Sequence, residues 1–301
     1  MVTESFYNQA TARLSVEGAK LWTSSNPSSP YHWFYTKVIK KLREKDGLYL
    51  HFTMKDNPSL SQEIVDRYDK MYSGVWRRRY LDGLWSIADG LIYDMFDEHY
   101  HILDKDRIPY EKAKDWCIGI DYGTGNATVF LLLMKTETGK MYAVKEYYYA
   151  GRKEAQENED FSLQKTDREF ADDLKAFILE HQHLTGKGFR DGIDVVVDPA
   201  AASFKVELRK HYRMRVRNGN NDVIDGIRKV ATHFSMGELF ISRECSNLIR
   251  ELHTYSWDEK AQLRGVDLPK KINDHCCDAL RYGILRLEGK KKLDVLRNIG
   301  L

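Results

Sequence analysis

The pattern of apolar residues divides the sequence into two parts. Apolar positions are periodic in the first part and form more continuous runs in the second. In residues 1–97, periodic apolar positions predict helices over residues 31–44 and 60–71 and a short strand over residues 48–53. Residues 98–114 are polar, contain Pro109 and predict an extended connector. We therefore expect a first segment over residues 1–97, a linker over 98–114, a domain over 115–288 and a basic tail over 289–301.

The second part begins with strands. Three apolar runs predict antiparallel strands, over residues 116–121, 127–135 and 141–149. A capping box of Thr166 and Glu169 then begins a helix that runs to about residue 183. Residues 193–197 form a continuous apolar run, which is typical of a strand buried on both faces.

Helices and strands alternate from that point onward. Apolar spacing predicts further helices over residues 203–211, 222–234 and 273–287, with a strand over residues 214–217. Three antiparallel strands followed by alternating helices and parallel strands predict a mixed α/β sheet flanked by helices. This is the order of the ribonuclease H-like fold.

Composition narrows the class of protein. The chain has 301 residues, of which 42% are hydrophobic and 31% charged, as expected of a folded, soluble protein. No run approaches the roughly 18 apolar residues of a membrane-spanning helix, and the first residues show no secretory signal, so we expect no membrane partner and a cytoplasmic location. Four cysteines without CxxC spacing are expected to be reduced and buried.

Two carboxylates follow predicted strands. Asp121 ends the first strand, before the turn at Tyr122 and Gly123, and Asp198 ends the buried run, before Pro199. If the two strands are neighbours in the sheet, the side chains converge at one edge. Either aspartate taken alone could equally be a turn or cap residue.

The last predicted helix carries a third acidic group. Asp274 and Asp278 are four residues apart and His275 is three from Asp278, so these side chains share one helix face. Burying such a face is costly unless its charge is neutralised. Two Mg²⁺ or Mn²⁺ ions would neutralise it, and paired ions of this kind promote phosphodiester hydrolysis. For His275, a histidine on the helix surface or a satisfied core histidine is the alternative.

Basic residues are nearly balanced by acidic ones, 47 Lys plus Arg against 45 Asp plus Glu, so only local clusters could indicate a nucleic-acid partner. Arg213, Arg215 and Arg217 alternate along a predicted strand, share a face, and lie close in sequence to Asp198. With Lys210 they are candidate contacts to DNA phosphates. A charged edge strand that resists further pairing is the alternative.

At these residues the sequence resembles the large terminase subunit of tailed bacteriophages, the motor and nuclease that packages and cuts viral DNA. The resemblance runs along nearly the whole chain, and the order of its short motifs is more specific than any one of them. The motifs are Ser25-Asn26-Pro27, PYHWF at 30–34, Asp56-Asn57-Pro58, Tyr72-Ser73-Gly74, RYLDGLW at 79–85, GLIY at 90–93, GIDYG at 119–123, VDPA at 197–200 and HCCDALRY at 275–282.

The resemblance implies a ribonuclease H-like endonuclease that cuts concatemeric viral DNA during genome packaging. Its metal ligands would be Asp121, Asp198 and Asp278, with His275 as a further ligand or proton-transfer group, and two Mg²⁺ or Mn²⁺ ions as cofactors. Asp274 is our addition from helix geometry. The implied partners are double-stranded DNA, a terminase small subunit and the capsid portal, at the procapsid in the host cytoplasm.

The sequence departs from the family at its ATPase motif. The phosphate-binding loop GxxxxGK[ST] is absent, so residues 1–97 resemble only the latter part of the family's ATPase domain. We therefore expect no ATP hydrolysis from this chain alone. The chain could be a fragment, a split-gene product that needs a separate ATPase segment, or a remnant.

The sequence is also compatible with two other classes of function. A non-catalytic terminase remnant would bind DNA or the portal without cutting. An actin-like or sugar-kinase-like ATPase is suggested by residues 119–126, which look like a first phosphate loop. That class needs a second Asp-x-Gly loop, where this chain has Asp198-Pro199-Ala200, and a glycine-rich adenosine segment that the sequence lacks.

Overall fold

One mixed sheet of seven strands organises the larger part of the chain that the structure describes. The structure is a computed structural model and describes residues 3–42, 44, 47–123, 126–150, 165–190 and 192–298, with side chains to residue 289. The strands are β1 (Ile102–Leu103), β2 (Ala113–Asp121), β3 (Thr128–Thr136), β4 (Met141–Tyr149), β5 (Asp194–Val197), β6 (Arg215–Asn218) and β7 (Leu239–Ser242). They lie in the order β1-β7-β4-β3-β2-β5-β6.

Strand directions confirm the predicted fold class. β2, β3 and β4 are antiparallel neighbours, β5 lies parallel to β2, and β6 lies parallel to β5. This is the ribonuclease H-like mixed sheet. The short strands β7 and β1 extend the opposite edge in parallel orientation, and the sequence analysis did not predict either of them.

Helices flank this sheet and also form the first part of the chain. They are α1 (Glu4–Ala12), α2 (Gln62–Met71), α3 (Gly74–Tyr80), α4 (Glu98–His101), α5 (Asp167–Glu180), α6 (Gln182–Thr185), α7 (Ala202–Lys210), α8 (Val223–Ser235), α9 (Ser246–Thr254), α10 (Glu259–Leu263) and α11 (His275–Asn298). α11 continues beyond the predicted end at residue 287 and enters the predicted basic tail. The side chains of Lys290, Lys291 and Lys292 lie outside the described residues.

The structure corrects two element predictions in the first part. Residues 31–44 do not form an α-helix; a π-helical turn at Phe34–Val38 is followed by a 3₁₀ turn at Ile39–Lys41. The hydroxyl of Thr36 donates to the carbonyls of His32 and Trp33, and such bonds, with β-branched neighbours, disfavour regular helix. The strand predicted over residues 48–53 is absent, since no described strand pairs with this segment.

The predicted extended connector is also corrected. Residues 98–114 contain α4, β1, two 3₁₀ turns and the start of β2. His101 is buried, and its Nε2 lies 3.0 Å from the carbonyl oxygen of Phe234. Polar residues that suggested a linker are therefore part of a packed edge of the sheet.

The chain divides into two compact units. The first comprises Met1–Asp94 with Ser256–Pro269, and the second comprises Met95–Tyr255 with Lys270–Leu301. Within the first unit, the later segment is held by a buried ion pair of Arg79 with Asp267 and by contact of Trp76 with Trp257, whose ring centroids are 6.1 Å apart.

The second unit buries both faces of its sheet. Ile118, Ile120, Val195 and Val197 pack on one side with aromatic and aliphatic side chains of α5 and α7, including Phe170, Leu174 and Phe204. The four cysteines are free and buried, as predicted. Among the described residues, no helix is long and apolar enough to cross a membrane.

Candidate active site

Two predicted carboxylates lie at the same edge of the sheet. Ile120 of β2 is in register with Val197 of β5, so the next residues, Asp121 and Asp198, follow adjacent parallel strands. The backbone N–H of Asp198 donates to the carbonyl of Ile120 at 3.3 Å. Parallel neighbours thus bring two residues that are 77 positions apart in the chain (198 minus 121) to one edge.

The close approach of α11 to β2 and β3 depends on two glycines. A Cβ atom on Gly119 would overlap the carbonyl oxygen of Ala279, and one on Gly283 would overlap the side chain of Leu133. Interiors packed at crystal density leave no room for such a methyl group. Contact at the glycines therefore brings the first turns of α11, which carry His275 and Asp278, to the end of β2.

A buried glutamate that sequence reasoning missed fixes the start of α11. Oε2 of Glu251, on α9, accepts hydrogen bonds from the backbone N–H groups of Cys276 at 2.7 Å and Cys277 at 3.1 Å. Burial raises the pKa of Glu251 to about 7, although these hydrogen bonds act in the opposite direction. In the sequence, Glu251 is a single glutamate among the apolar positions of a helix, and no motif links this glutamate to the site.

Asp121 and His275 form a direct pair. Nδ1 of His275 lies 2.8 Å from Oδ2 of Asp121, and both side chains are largely buried. Burial, with the nearby negative charges of Asp278 and Asp198, raises the pKa of Asp121 to about 6 even though the His275 hydrogen bond lowers it. Burial lowers the pKa of His275, but the hydrogen bond and charge of Asp121 outweigh it and leave that pKa raised.

Asp278 is surrounded by cationic groups. Its Oδ1 accepts from Nη2 of Arg281 at 3.0 Å, and its Oδ2 accepts from Nζ of Lys271 at 2.9 Å. The same ammonium donates to Oδ2 of Asp274 at 2.8 Å. Asp274 therefore lies beside Asp278 as helix geometry predicts, with Lys271 between them.

The donor set could hold divalent cations, but it is not arranged as a closed metal site. Within the described part of the chain, no group of three or more His, Cys, Asp or Glu side chains could hold a metal ion as it stands. Hydrogen bonds to described residues use only Oδ2 of Asp121 and only Oδ1 of Asp198, which leaves the other oxygen of each for a ligand. Carboxylate oxygens are the ligands that Mg²⁺ and Mn²⁺ prefer, so the residues fit such ions.

A second missed residue supports the turn after Asp198. Lys205 of α7 is buried, and its ammonium donates to the carbonyl of Pro199 at 2.6 Å and to Oδ1 of Asn218 at 3.1 Å. Burying an ammonium is costly, so these bonds hold it firmly in place. Lys205 thereby ties the Asp198 turn to the end of β6.

The predicted basic cluster is only partly on one strand. Arg215 and Arg217 share a face of β6, as predicted, but Arg213 precedes the strand in a left-handed conformation, with φ of 55°. Lys210 is exposed at the last position of α7. Arg213 and Lys210 therefore lie outside the strand that carries the arginine pair.

Buried Asp194 organises the arginine pair. Its Oδ1 lies 2.9 Å from Nε of Arg215 and 3.6 Å from Nε of Arg217, and its Oδ2 lies 2.5 Å from Nη2 of Arg286 on α11. Three guanidinium groups surround one carboxylate, so the patch keeps a positive charge. Arg215 and Arg217 remain about half exposed, which leaves them available to an anionic ligand.

Replacing Gly119 with Ala is expected to separate α11 from β2, because the new methyl group meets backbone atoms that cannot move aside. We expect a loss of at least about 2 kcal/mol of unfolding free energy. Gly289→Ala, on α11, is the control: nothing lies near its Cβ position, so it should be neutral or slightly stabilising. Urea unfolding of both variants tests this, and equal stabilities would contradict the packing argument.

The fold and the clustered side chains define a class: a ribonuclease H-like α/β domain with acidic groups supplied by two strand ends and one helix. A family model described as phage terminase large subunit matches residues 2–81. The large terminase subunit of Escherichia phage T5 is 27% identical over 250 residues, which are 80% of this chain and 52% of the T5 protein. The solved large terminase of a thermophilic bacteriophage is 46% identical, with a TM-score of 0.81.

These comparisons confirm the resemblance found in the sequence. The chain belongs to the family of phage terminase large subunits. It spans about half the length of the T5 relative, and the match to the thermophilic phage terminase covers 93% of this chain and 66% of that one. The thermophilic phage protein has also been solved in complex with ADP and with ATP-γ-S.

Proposed function

We propose that the second unit is a metal-dependent DNA endonuclease that cuts concatemeric viral DNA during packaging. The observation that supports this proposal is that Asp121 and Asp198 lie at the ends of adjacent parallel strands, while Asp278 on α11 is near enough for its charge to raise the pKa of Asp121. Carboxylates supplied by distant parts of a chain have little structural reason to share one sheet edge, because their mutual repulsion costs stability. A site for hard divalent cations supplies that reason.

Each side chain has a role in this proposal. Asp121 and Asp198 would share the ions, and Asp278 would complete the set, with Asp274 beside it. Bound there, two Mg²⁺ or Mn²⁺ ions would supply the chemistry of water activation and of charge stabilisation at the leaving oxygen. His275 orients Asp121 through Nδ1 and can accept or release a proton, while Lys205 holds the turn that carries Asp198.

A nicking assay tests the proposed function. Purified chain is incubated with supercoiled plasmid in Mn²⁺, in Mg²⁺ and in EDTA. We expect nicked and linear products in the metal-containing reactions and intact plasmid in EDTA. Cleavage that persists in EDTA would refute a metal-dependent mechanism.

A non-catalytic remnant is the second candidate, because Asp278 is already paired with Lys271 and Arg281. Such a protein would bind DNA or a portal without cutting. Intact plasmid under every metal condition, together with retained DNA binding in a gel-shift assay, would favour it.

We propose further that the first unit is the latter part of an ATPase domain, and that this chain alone does not hydrolyse ATP. The absent phosphate-binding loop supports this, since backbone N–H groups and a lysine of that loop hold the phosphates. A separate ATPase segment, a terminase small subunit and the capsid portal are the partners proposed for the complete machine. Calorimetry with ATP tests whether this chain alone uses ATP. Tight ATP binding would contradict the proposal and would favour the kinase-like class. The candidate phosphate loop of that class includes Thr124 and Gly125, which lie outside the described residues.

We propose that DNA phosphates contact Arg215 and Arg217. Replacing both with Ala is expected to weaken duplex binding about tenfold or more and to reduce the slope of log affinity against log salt by about 2. Arg286 remains to pair with Asp194, so the fold should persist. Arg168→Ala with Lys175→Ala removes the same charge from α5 as a control, and an equal loss in that control would reject the patch.

A further inference from the structure

Asp278 is engaged through both carboxylate oxygens, one by Arg281 and the other by Lys271. Charge-assisted hydrogen bonds to both oxygens reduce the negative potential that would attract another cation. A divalent ion that binds Asp278 therefore competes with one of these two partners.

The two partners differ in how firmly they are held. Arg281 has a side chain that is 2% exposed, and its Nη1 also donates to the carbonyl of Asn220 at 2.9 Å. Lys271 has a side chain that is 63% exposed, and its hydrogen bonds to described residues go only to Asp274 and Asp278. Moving Lys271 into water breaks two partly exposed ion pairs, whereas moving Arg281 opens the core. Lys271 is the partner that can leave.

The ammonium of Lys271 also performs the electrostatic task of a metal ion. Asp274 and Asp278 are one helical turn apart, and two like charges at that spacing repel each other. Nζ lies 2.8 Å from one carboxylate and 2.9 Å from the other, so a single positive charge bridges the pair. Without it, Asp274 would lose its cationic partner and Asp278 would keep only Arg281, so the pair would attract a divalent cation more strongly.

We propose that Lys271 is a built-in counter-ion of the metal-free site, which a divalent cation must displace to bind Asp278. This inference rests on the proposed function, because it takes Asp278 to be a metal ligand. Lys271 keeps the first turn of α11 neutralised in the absence of metal. In exchange, it lowers the affinity of the site for the ion.

Titration calorimetry with Mn²⁺ on the metal-stripped full chain tests the inference. Lys271→Met should lower the Mn²⁺ dissociation constant about tenfold, because the ion no longer has to break two partly exposed ion pairs. Lys270→Met is the matched control, since Lys270 is the exposed preceding residue and its removal changes net charge equally. Its dissociation constant should stay within about twofold of the original. Equal effects of the two variants, or weaker binding by Lys271→Met, would overturn the inference.

Two more variants keep the outcome decisive. Lys271→Arg retains a cation that can bridge the same carboxylates, so it should bind Mn²⁺ no more tightly than the unmodified chain. Tighter Mn²⁺ binding by Lys271→Arg would overturn the inference, even if Lys271→Met were unstable. Asp278→Asn separates the inference from the proposed function. If it binds Mn²⁺ with unchanged affinity, the metal site itself is wrongly assigned; if it binds weakly while Lys271→Met is unchanged, only the counter-ion role fails.

Discussion

Asp121→Asn is expected to abolish plasmid nicking and, in the same protein, to increase stability. Activity should fall at least about 10³-fold, because a neutral amide replaces a carboxylate that would share the ions. Stability should rise because burial and neighbouring carboxylates raise the pKa of Asp121 to about 6, so its ionisation at pH 8 costs folding free energy.

The sign of the stability change follows from linkage. A raised carboxyl pKa means that the contribution of Asp121 to stability is complete below its unfolded value near 3.8 and is lost as pH rises through about 6. At pH 8 in EDTA, removing this cost should stabilise the unit by about 2 kcal/mol, whereas at pH 4 the variant should gain little. Thermal melts at the two pH values measure the difference.

Asp278→Asn should give the same loss of nicking with the opposite effect on stability. It leaves the buried guanidinium of Arg281 without its carboxylate, which we expect to cost about 3 kcal/mol. Asp106→Asn, at an exposed position of the same unit, is the control and should change neither activity nor stability. Full nicking activity in Asp121→Asn, Asp198→Asn or Asp278→Asn would refute the site assignment.

Asp267→Ala is expected to destabilise the first unit by about 3 to 5 kcal/mol. Arg79 is 3% exposed, and its Nη1 and Nη2 lie 2.5 and 3.1 Å from the two carboxylate oxygens of Asp267. The guanidinium also donates to the carbonyl of Ser86, so it stays in place when Asp267 is removed. A buried charge without its counter-ion is the cause of the loss.

The adjacent arginine offers a matched control for this effect. Arg78 pairs with Asp89 at 3.2 Å, but the side chain of Asp89 is 70% exposed and that of Arg78 is 41% exposed, so Asp89→Ala should cost less than about 0.5 kcal/mol. Of the six tryptophans, Trp116 lies in the second unit and the other five in the first, so fluorescence during urea unfolding reports mainly on the first unit. Equal midpoints for the two variants would contradict the buried-pair argument.

Much of the second unit could be predicted because its elements carry local signals. Continuous apolar runs identify β2 to β5, and the Thr166 capping box identifies the start of α5. The predictions for residues 31–44 and 48–53 were wrong, although apolar residues are present in both segments. Side-chain hydrogen bonds of Thr36 disfavour a regular helix in the first segment, and no described strand pairs with the second.

Local patterns predicted β2 to β6, the helices α5, α7 and α8, the strand-end positions of Asp121 and Asp198, and the place of His275 and Asp278 on the last helix, because these depend on short-range periodicity. They did not predict β1, β7 or α9. The partners of the charged groups became known from the folded chain: Lys271 and Arg281 for Asp278, Glu251 for the start of α11, Asp194 for the arginine pair, and Asp267 for Arg79. Ion pairing and burial act through space between residues that can be close or far in sequence, so periodicity along the chain contains no record of them.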